Sequence, residues 1–137
     1  MMRCRLEGNR PEKSSILALA LVAFLALGAC VEAAAPKQIL VVTVTKGFRH
    51  SSIPTAETVL SQLSEKSGAF TVEFVRNDEE MALKMTTEAL GKYDGFLFAN
   101  TTGNLPLPDK MAFLNEIRGG KAFIGMHAAS DTFHGKS

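Results

Sequence analysis

The sequence has few cysteines, few large aromatic residues and no excess of charge of either sign. Its 137 residues include two cysteines, one tyrosine and no tryptophan. Cys4 lies in a basic N-terminal stretch that we predict to be removed, so Cys30 is the only thiol left to the exported chain. A single thiol cannot form an internal disulfide, which excludes a small disulfide-stabilised scaffold.

The charge balance argues against one kind of partner, and a mismatched motif argues against another. Four of the 15 Lys and Arg residues and two of the 14 Asp and Glu residues lie in the first thirty positions, which leaves 11 against 12 in the rest. Domains that bind nucleic acid carry a marked basic excess, so we predict no nucleic-acid partner. Gly135-Lys136-Ser137 invites comparison with a phosphate-binding loop, but Ser130 stands where that motif requires glycine. We therefore predict no nucleotide partner.

The longest apolar run is short for a permanent membrane span, which makes such a span the weaker interpretation of this segment. The longest runs from Ile16 to Ala29, whereas a helix needs about 20 apolar residues to cross a bilayer. A basic start, a short apolar run and small residues form the three-part layout of a secretion signal. The sequence therefore predicts an exported protein.

The end of this signal, Leu27-Gly28-Ala29-Cys30, resembles the bacterial lipobox, in which the cysteine thiol receives a diacylglycerol. The alternative is cleavage after the alanines at 33–35, but Pro36 would then follow the cut. We expect residues 1–30 to be a lipoprotein-type signal peptide and residues 31–37 a tether. Lipidation at Cys30 would anchor the protein to a bacterial membrane from its periplasmic or extracellular side.

Strand-like and helix-like segments alternate after the tether. Apolar, β-branched runs predict strands at 38–45, 70–75, 95–100 and 121–127, the second of them at an edge of the sheet. Helical spacing predicts a helix from Ser52 to a stop at Gly68, two short helices within 77–92, and a helix over 109–118. The expected buried faces are Ile53, Ala56, Val59, Leu60 and Leu63 in the first helix and Met111, Leu114 and Ile117 in the last. This order predicts an α/β fold with an open, doubly wound parallel sheet of about four strands.

Ligands of such sheets bind beyond the carboxyl ends of the strands. Polar clusters follow three of the predicted strands, so we expect them to meet at one rim. The candidate residues there are Arg49 and His50 after the first strand, Asn100, Thr101 and Thr102 after the third, and His127, Ser130 and Asp131 after the fourth.

Each candidate has a functional and a structural interpretation. His127 lies on a small-residue turn, where it is either an acid or base, a metal ligand, or a histidine buried in a tight turn. His50 and Asp131 could complete a divalent-metal site, such as zinc, with an open coordination position. Arg49 suits a carboxylate or phosphate but is often only solvated in loops. Asp131 could instead cap a following helix.

The remaining polar residues suit a polyol, although the same residue types also favour turns. We assign substrate binding to Arg49, Asn100, Thr101, Thr102 and Ser130, and catalysis to His127, His50 and Asp131. His134 is expected to be exposed.

Four short motifs stand at the ends of these strands. They read Gly47-Phe48-Arg49-His50, Tyr93-Asp94-Gly95, Asn100-Thr101-Thr102-Gly103 and Gly125-Met126-His127-Ala128-Ala129-Ser130-Asp131-Thr132. Together they resemble the ThuA-like family, which is named for trehalose utilisation and belongs to the class I glutamine-amidotransferase-like superfamily. The resemblance implies a flavodoxin-like sheet and a role in the use of trehalose or keto-sugars.

The chain departs from that pattern in two ways. Amidotransferases of the superfamily place cysteine in a Gly-x-Cys turn, whereas His127 follows Gly125-Met126 here, which excludes a cysteine-dependent glutamine amidotransferase. Members of the family also continue past this segment, so we expect residues 38–137 to be the N-terminal part of a ThuA-like domain whose C-terminal half is missing.

These observations predict an exported protein that acts on a small-molecule carbohydrate by acid–base or metal-assisted chemistry at the rim. As an enzyme it would be a hydrolase or isomerase of a sugar. The alternatives are a non-catalytic surface module that binds a sugar or a protein, and a non-functional truncated fragment.

Overall fold

The computed structural model describes residues 34–134. The predicted signal peptide and Cys30 lie outside the described residues, as does the start of the predicted tether. Within residues 34–134, no helix combines the length and apolar character that crossing a membrane requires.

Four parallel strands form the sheet, and helices connect them. The strands are β1 (Lys37–Val42), β2 (Phe70–Val75), β3 (Gly95–Ala99) and β4 (Ala122–Met126). The helices are α1 (Ile53–Ser67), α2 (Asp78–Lys84), α3 (Thr87–Leu90) and α4 (Lys110–Arg118), and a 3₁₀ turn spans His127–Asp131. The strand order is β2-β1-β3-β4, which confirms the predicted open α/β sheet of flavodoxin-like type and places β2 at an edge.

Local sequence signals explain where the helices begin and end. Pro54 occupies the first turn of α1, and Gly68 ends the helix in a left-handed conformation with φ of 61°. The Asn77 side chain caps α2 by accepting a hydrogen bond from the Glu80 amide. Asp109 caps α4 in the same way, through a 2.9 Å bond from the Ala112 amide to Oδ1.

The core lies on both faces of the sheet, but unequally. The larger cluster covers one face with α2, α3 and α4, and the aromatic rings of Phe96, Phe98 and Phe113 pack together within it. The smaller cluster comprises four buried residues, with Leu60 of α1 packed against them. The site described below therefore stands on a sheet in which β3 and the carboxyl half of β1 are buried.

Two predicted helix faces are partly wrong. Val59 and Leu63 of α1 are exposed, because Leu60 already covers the small cluster beneath that helix. In α4 the buried residue is Phe113, whose ring packs against Phe96 and Phe98, while the predicted Met111 and Leu114 are exposed.

Strand β4 is the more exposed edge of the described sheet. The side chains of Phe123 and Ile124 are 47% and 50% exposed, although both belong to a β-strand with an apolar sequence. An apolar groove of about 820 Å³ lies between this strand and α4, lined in part by Phe113 and Phe123. Neither His50 nor His127 lines this groove, although Ala129 and Thr132 of the motif that contains His127 do.

Candidate functional site

The strand order reverses between β1 and β3, and the candidate site lies beyond their carboxyl ends. The chain passes from β1 outward to β2 and then returns to the other side of β1 as β3. Parallel sheets bind ligands at such a point, because the following loops diverge there and leave a crevice.

Two loops are joined at this crevice by backbone and hydroxyl hydrogen bonds. The Lys46 amide donates to the Thr102 carbonyl at 2.8 Å, and Thr45 pairs with Thr102 as an isolated bridge. The Thr102 hydroxyl donates to the Phe48 carbonyl at 2.8 Å and accepts from the Gly47 amide at 3.3 Å. Thr102 therefore fixes the backbone of the loop that carries Phe48.

Gly103 allows these two loops to approach so closely. Its φ is 75°, and a Cβ atom there would lie 2.9 Å from the Gly47 nitrogen and 3.0 Å from the Lys46 carbonyl carbon. Any side chain would meet both a strained backbone and the neighbouring main chain.

The loop after β4 joins the same rim. Gly103 donates its amide to the Asp131 carbonyl and accepts from the Phe133 amide, both at 3.1 Å. The Thr101 and Thr132 hydroxyls share a 2.7 Å hydrogen bond. The polar segments after β1, β3 and β4 thus converge, as the sequence predicted.

The two candidate histidines are in direct contact. The ring centroids of His50 and His127 are 4.6 Å apart with an interplanar angle of 71°, an edge-to-face arrangement. Phe48 lies in the same loop as His50, and their ring centroids are 4.9 Å apart with an interplanar angle of 79°. The three rings form a continuous aromatic row along the rim, which we call the Phe48–His50–His127 row.

His127 holds an unusual backbone conformation. It is the first residue of the 3₁₀ turn and has a φ of 52°, in the left-handed region that only a few per cent of non-glycine residues adopt. Its side chain is exposed, whereas His50 is half-buried. Strained residues cluster at functional sites, because the surrounding structure must hold them in place.

A chain of polar contacts, with the buried Thr43 at its centre, supports the loop from below. The Arg49 guanidinium donates to the Thr43 carbonyl at 3.1 Å, and the Thr43 hydroxyl donates to Glu57 Oε1 at 2.7 Å. Arg76 Nε donates to Glu57 Oε2 at 2.8 Å, and the Glu57 side chain is 17% exposed. Arg49 is thus tied back to its own loop, and Glu57 braces helix α1 against the end of β1.

Sequence analysis missed Glu57 and Thr43. One local signal was available for Thr43, because it stands within the apolar run Ile39–Val44, and the structure shows it fully buried. Glu57 gave none, since a glutamate in a helix normally faces solvent.

The other predicted rim residues, four of them assigned to substrate binding and Asp131 to catalysis, divide into two groups. Asn100, Thr101 and Thr102 are buried beneath the rim, and both threonine hydroxyls are engaged in internal hydrogen bonds. Ser130 and Asp131 are exposed on the turn after β4. The first group builds the rim, and the second is open to a ligand.

The predicted metal ligands do not form a three-residue cluster. Within residues 34–134, no three His, Cys, Asp or Glu side chains gather in a way that could hold a metal ion, so Asp131 is not assembled with His50 and His127. Catalytic zinc usually has three protein ligands. Two imidazoles alone fall short of that set, and we derive no step through a metal.

The Tyr93-Asp94-Gly95 motif lies at the opposite, amino end of the sheet. Asp94 accepts from the Gln38 amide at 2.8 Å and from Lys37 Nζ at 3.0 Å, which ties the start of β3 to the start of β1. The Gln38 amide, aided by Lys37, lowers the pKa of Asp94. Gly95 has no room for a side chain, since a Cβ there would lie 2.9 Å from Ala122 Cβ.

Tyr93 completes this amino-end group. Its hydroxyl donates to Glu73 Oε2 at 2.7 Å, and Lys84 Nζ lies 3.2 Å from the other oxygen of that carboxylate. The hydrogen bond from Tyr93 lowers the pKa of Glu73, and Lys84 contributes less to this shift. Burial raises the pKa of Tyr93, and the hydrogen bond to Glu73 raises it further.

A comparison with protein families identifies one match. The family model described as "ThuA: Trehalose utilisation" matches residues 38–136, which include the rim, the histidines and the amino-end motif. Neither the curated proteins nor the solved structures yield a match to this chain.

Proposed function

The chain belongs to the ThuA family of trehalose utilisation, and on that premise we propose that its carboxyl rim binds a sugar with which His127 and His50 exchange protons. The observation that carries this proposal is the contact between the two imidazoles. They come from loops far apart in sequence, yet their rings meet at 4.6 Å where the strand order makes a crevice.

The chemistry of the pair suits proton transfer to and from hydroxyl or carbonyl oxygens. Imidazole changes charge close to neutral pH, so one ring can accept a proton while its neighbour donates one. Both hydrolysis of a glycosidic bond and isomerisation of a keto-sugar require such an acid and base. None of the residues that build the rim is a cysteine, so these residues supply no thiolate nucleophile.

The proposal is tested by replacing each histidine with glutamine, which keeps a polar side chain but cannot titrate. We expect His127→Gln and His50→Gln to lower kcat/KM on trehalose or a keto-sugar by about 10²- to 10⁴-fold, the usual contribution of general acid–base catalysis. The exposed His134 gives a matched control, and His134→Gln should retain full activity. Turnover that survives both rim substitutions would remove the histidines from the mechanism.

A non-catalytic module that binds a sugar is the second candidate. The observation that favours it is that no carboxylate joins the two imidazoles as a third member of a cluster within the described residues. Calorimetry with disaccharides and keto-sugars, combined with product analysis, separates the two. Heat of binding without product supports the module, and product formation supports the enzyme.

We also propose that the protein is exported and lipid-anchored through Cys30. The support is the sequence of the N-terminal segment, with its basic start, short apolar run and Leu27-Gly28-Ala29-Cys30 ending. Metabolic labelling with a fatty acid should mark the wild-type protein but not Cys30→Ser. Equal labelling of both would overturn the assignment of the lipid to this thiol.

A further inference from the structure

Phe48 is an exposed aromatic residue in a loop whose backbone is held by hydrogen bonds. Its side chain is 72% exposed, while its carbonyl oxygen accepts a 2.8 Å hydrogen bond from the buried Thr102. The preceding residue, Gly47, is held by the same threonine. Burial of a phenyl ring stabilises a folded protein, so the exposed ring of Phe48 does not give the stabilisation that burial would provide.

Exposure alone does not distinguish Phe48, because other apolar side chains are exposed too. Leu83 of α2 is 75% exposed, but it is not part of the Phe48–His50–His127 row. Phe48 differs in its position, since it forms one end of the Phe48–His50–His127 row. Its centroid lies 4.9 Å from that of His50, which in turn contacts His127.

The orientation of the row leaves the phenyl ring accessible. Phe48 and His50 meet edge to face at 79°, and most of the phenyl surface remains open to solvent. A ligand that rested on this surface would lie beside the two imidazoles. Ser130 and Asp131, on the turn that begins with His127, are exposed as well.

A ring sugar fits this combination of surfaces. One face of a pyranose presents C–H bonds with partial positive charge, and the negative face of an aromatic ring attracts them. The hydroxyl groups project outward around the ring and suit hydroxyl and carboxylate partners. An open-chain polyol has no such apolar face, so it gains little from a phenyl ring.

We propose that Phe48 is the stacking platform for the apolar face of a pyranose ring, and thus selects cyclic sugars over open-chain ones at the rim. This inference rests on the proposed function, because it concerns the same site. Phe48 acts in binding and specificity, while the proton transfers belong to the histidines.

The test compares four variants of the full chain by steady-state kinetics or calorimetry. We expect Phe48→Ala to raise KM or Kd for a pyranose disaccharide about tenfold, since an aromatic contact of this kind contributes on the order of one factor of ten. Phe48→Tyr should restore affinity because it keeps the flat face, and Phe48→Leu should not. Leu83→Ala is the matched control for an equally exposed apolar residue and should leave KM unchanged.

The results for Phe48→Ala and His127→Gln together distinguish this inference from the proposed function on which it rests. Unchanged KM in Phe48→Ala, together with loss of activity in His127→Gln, would overturn the platform and leave the proposed function standing. An equal loss of affinity for a pyranose and for an open-chain polyol would also overturn it. The absence of any sugar binding by the unmodified protein would overturn both.

Discussion

The two ends of the sheet use polar residues in opposite ways. At the amino end, Tyr93 and Asp94 are paired with Glu73, Gln38 and Lys37, so each polar group there stabilises the fold. At the carboxyl end, His127 has a left-handed backbone conformation and the side chain of Phe48 is exposed to solvent.

This difference shows that a family motif is not necessarily a site. Tyr93-Asp94-Gly95 and the rim motifs all lie within the matched residues 38–136. Only the rim combines strain, exposure and contacting titratable rings, the features expected of a place that binds and reacts. The amino-end motif instead joins β1, β3 and β4, because the Ala122 amide donates to the Asp94 carbonyl.

Of the substitutions that test this contrast between the two ends of the sheet, His127→Gly should have the largest effect. We expect activity to fall by about 10²- to 10⁴-fold, since an acid–base group is lost. Stability should hold or rise, because the left-handed backbone costs an L-residue roughly 1–2 kcal/mol and glycine is free of that strain. Urea unfolding beside an activity assay checks both. A clear loss of stability would show that His127 serves the fold, like the residues at the other end.

Gly95→Ala tests the amino end and should give the reverse outcome. A methyl group at 2.9 Å from Ala122 Cβ forces strands β3 and β4 apart, which we expect to lower the free energy of unfolding by about 1–3 kcal/mol. Activity per folded molecule should be retained. Gly91→Ala is the matched control nearby, because its Cβ would meet only the Glu88 carbonyl at 3.4 Å, and stability should change little. A loss of turnover in folded Gly95→Ala protein would contradict the division between the two ends.

The smallest effect is expected from Tyr93→Phe, which removes the hydrogen bond to Glu73. The loss should be about 0.5–1.5 kcal/mol at neutral pH, without a change in activity. The folded pKa of Glu73 is lowered, so its ionised form stabilises the protein above the ordinary pKa of 4.5 and that stabilisation fades as the pH falls. The difference between wild type and variant should therefore narrow as unfolding is measured at lower pH. A difference that does not change with pH would show that Glu73 is not the partner that matters.

Much of this fold could be predicted because its signals are local. Runs of β-branched and apolar residues marked the strands, and Pro54, Gly68 and Asp109 marked helix ends. The meeting of His50 with His127 followed from the parallel order of strands, since carboxyl ends of parallel strands share one edge.

The rest depends on partners distant in sequence. Helical spacing placed Met111 and Leu114 on a buried face, but the rings of Phe96 and Phe98 select Phe113 instead. Glu57 braces β1 only because Thr43 and Arg76 surround it in three dimensions. Spacing within one helix carries no information about such neighbours.

The edge-to-face contact of the two imidazoles also makes the rim observable by nuclear magnetic resonance before any substrate is known. Protons held above or beside an aromatic ring are shifted by its ring current, and His50 lies between two such rings. Its carbon-bound protons should therefore resonate away from those of the exposed His134, and should move toward them in His127→Gln. A library of sugars can then be screened by following one histidine signal, without an assay for product.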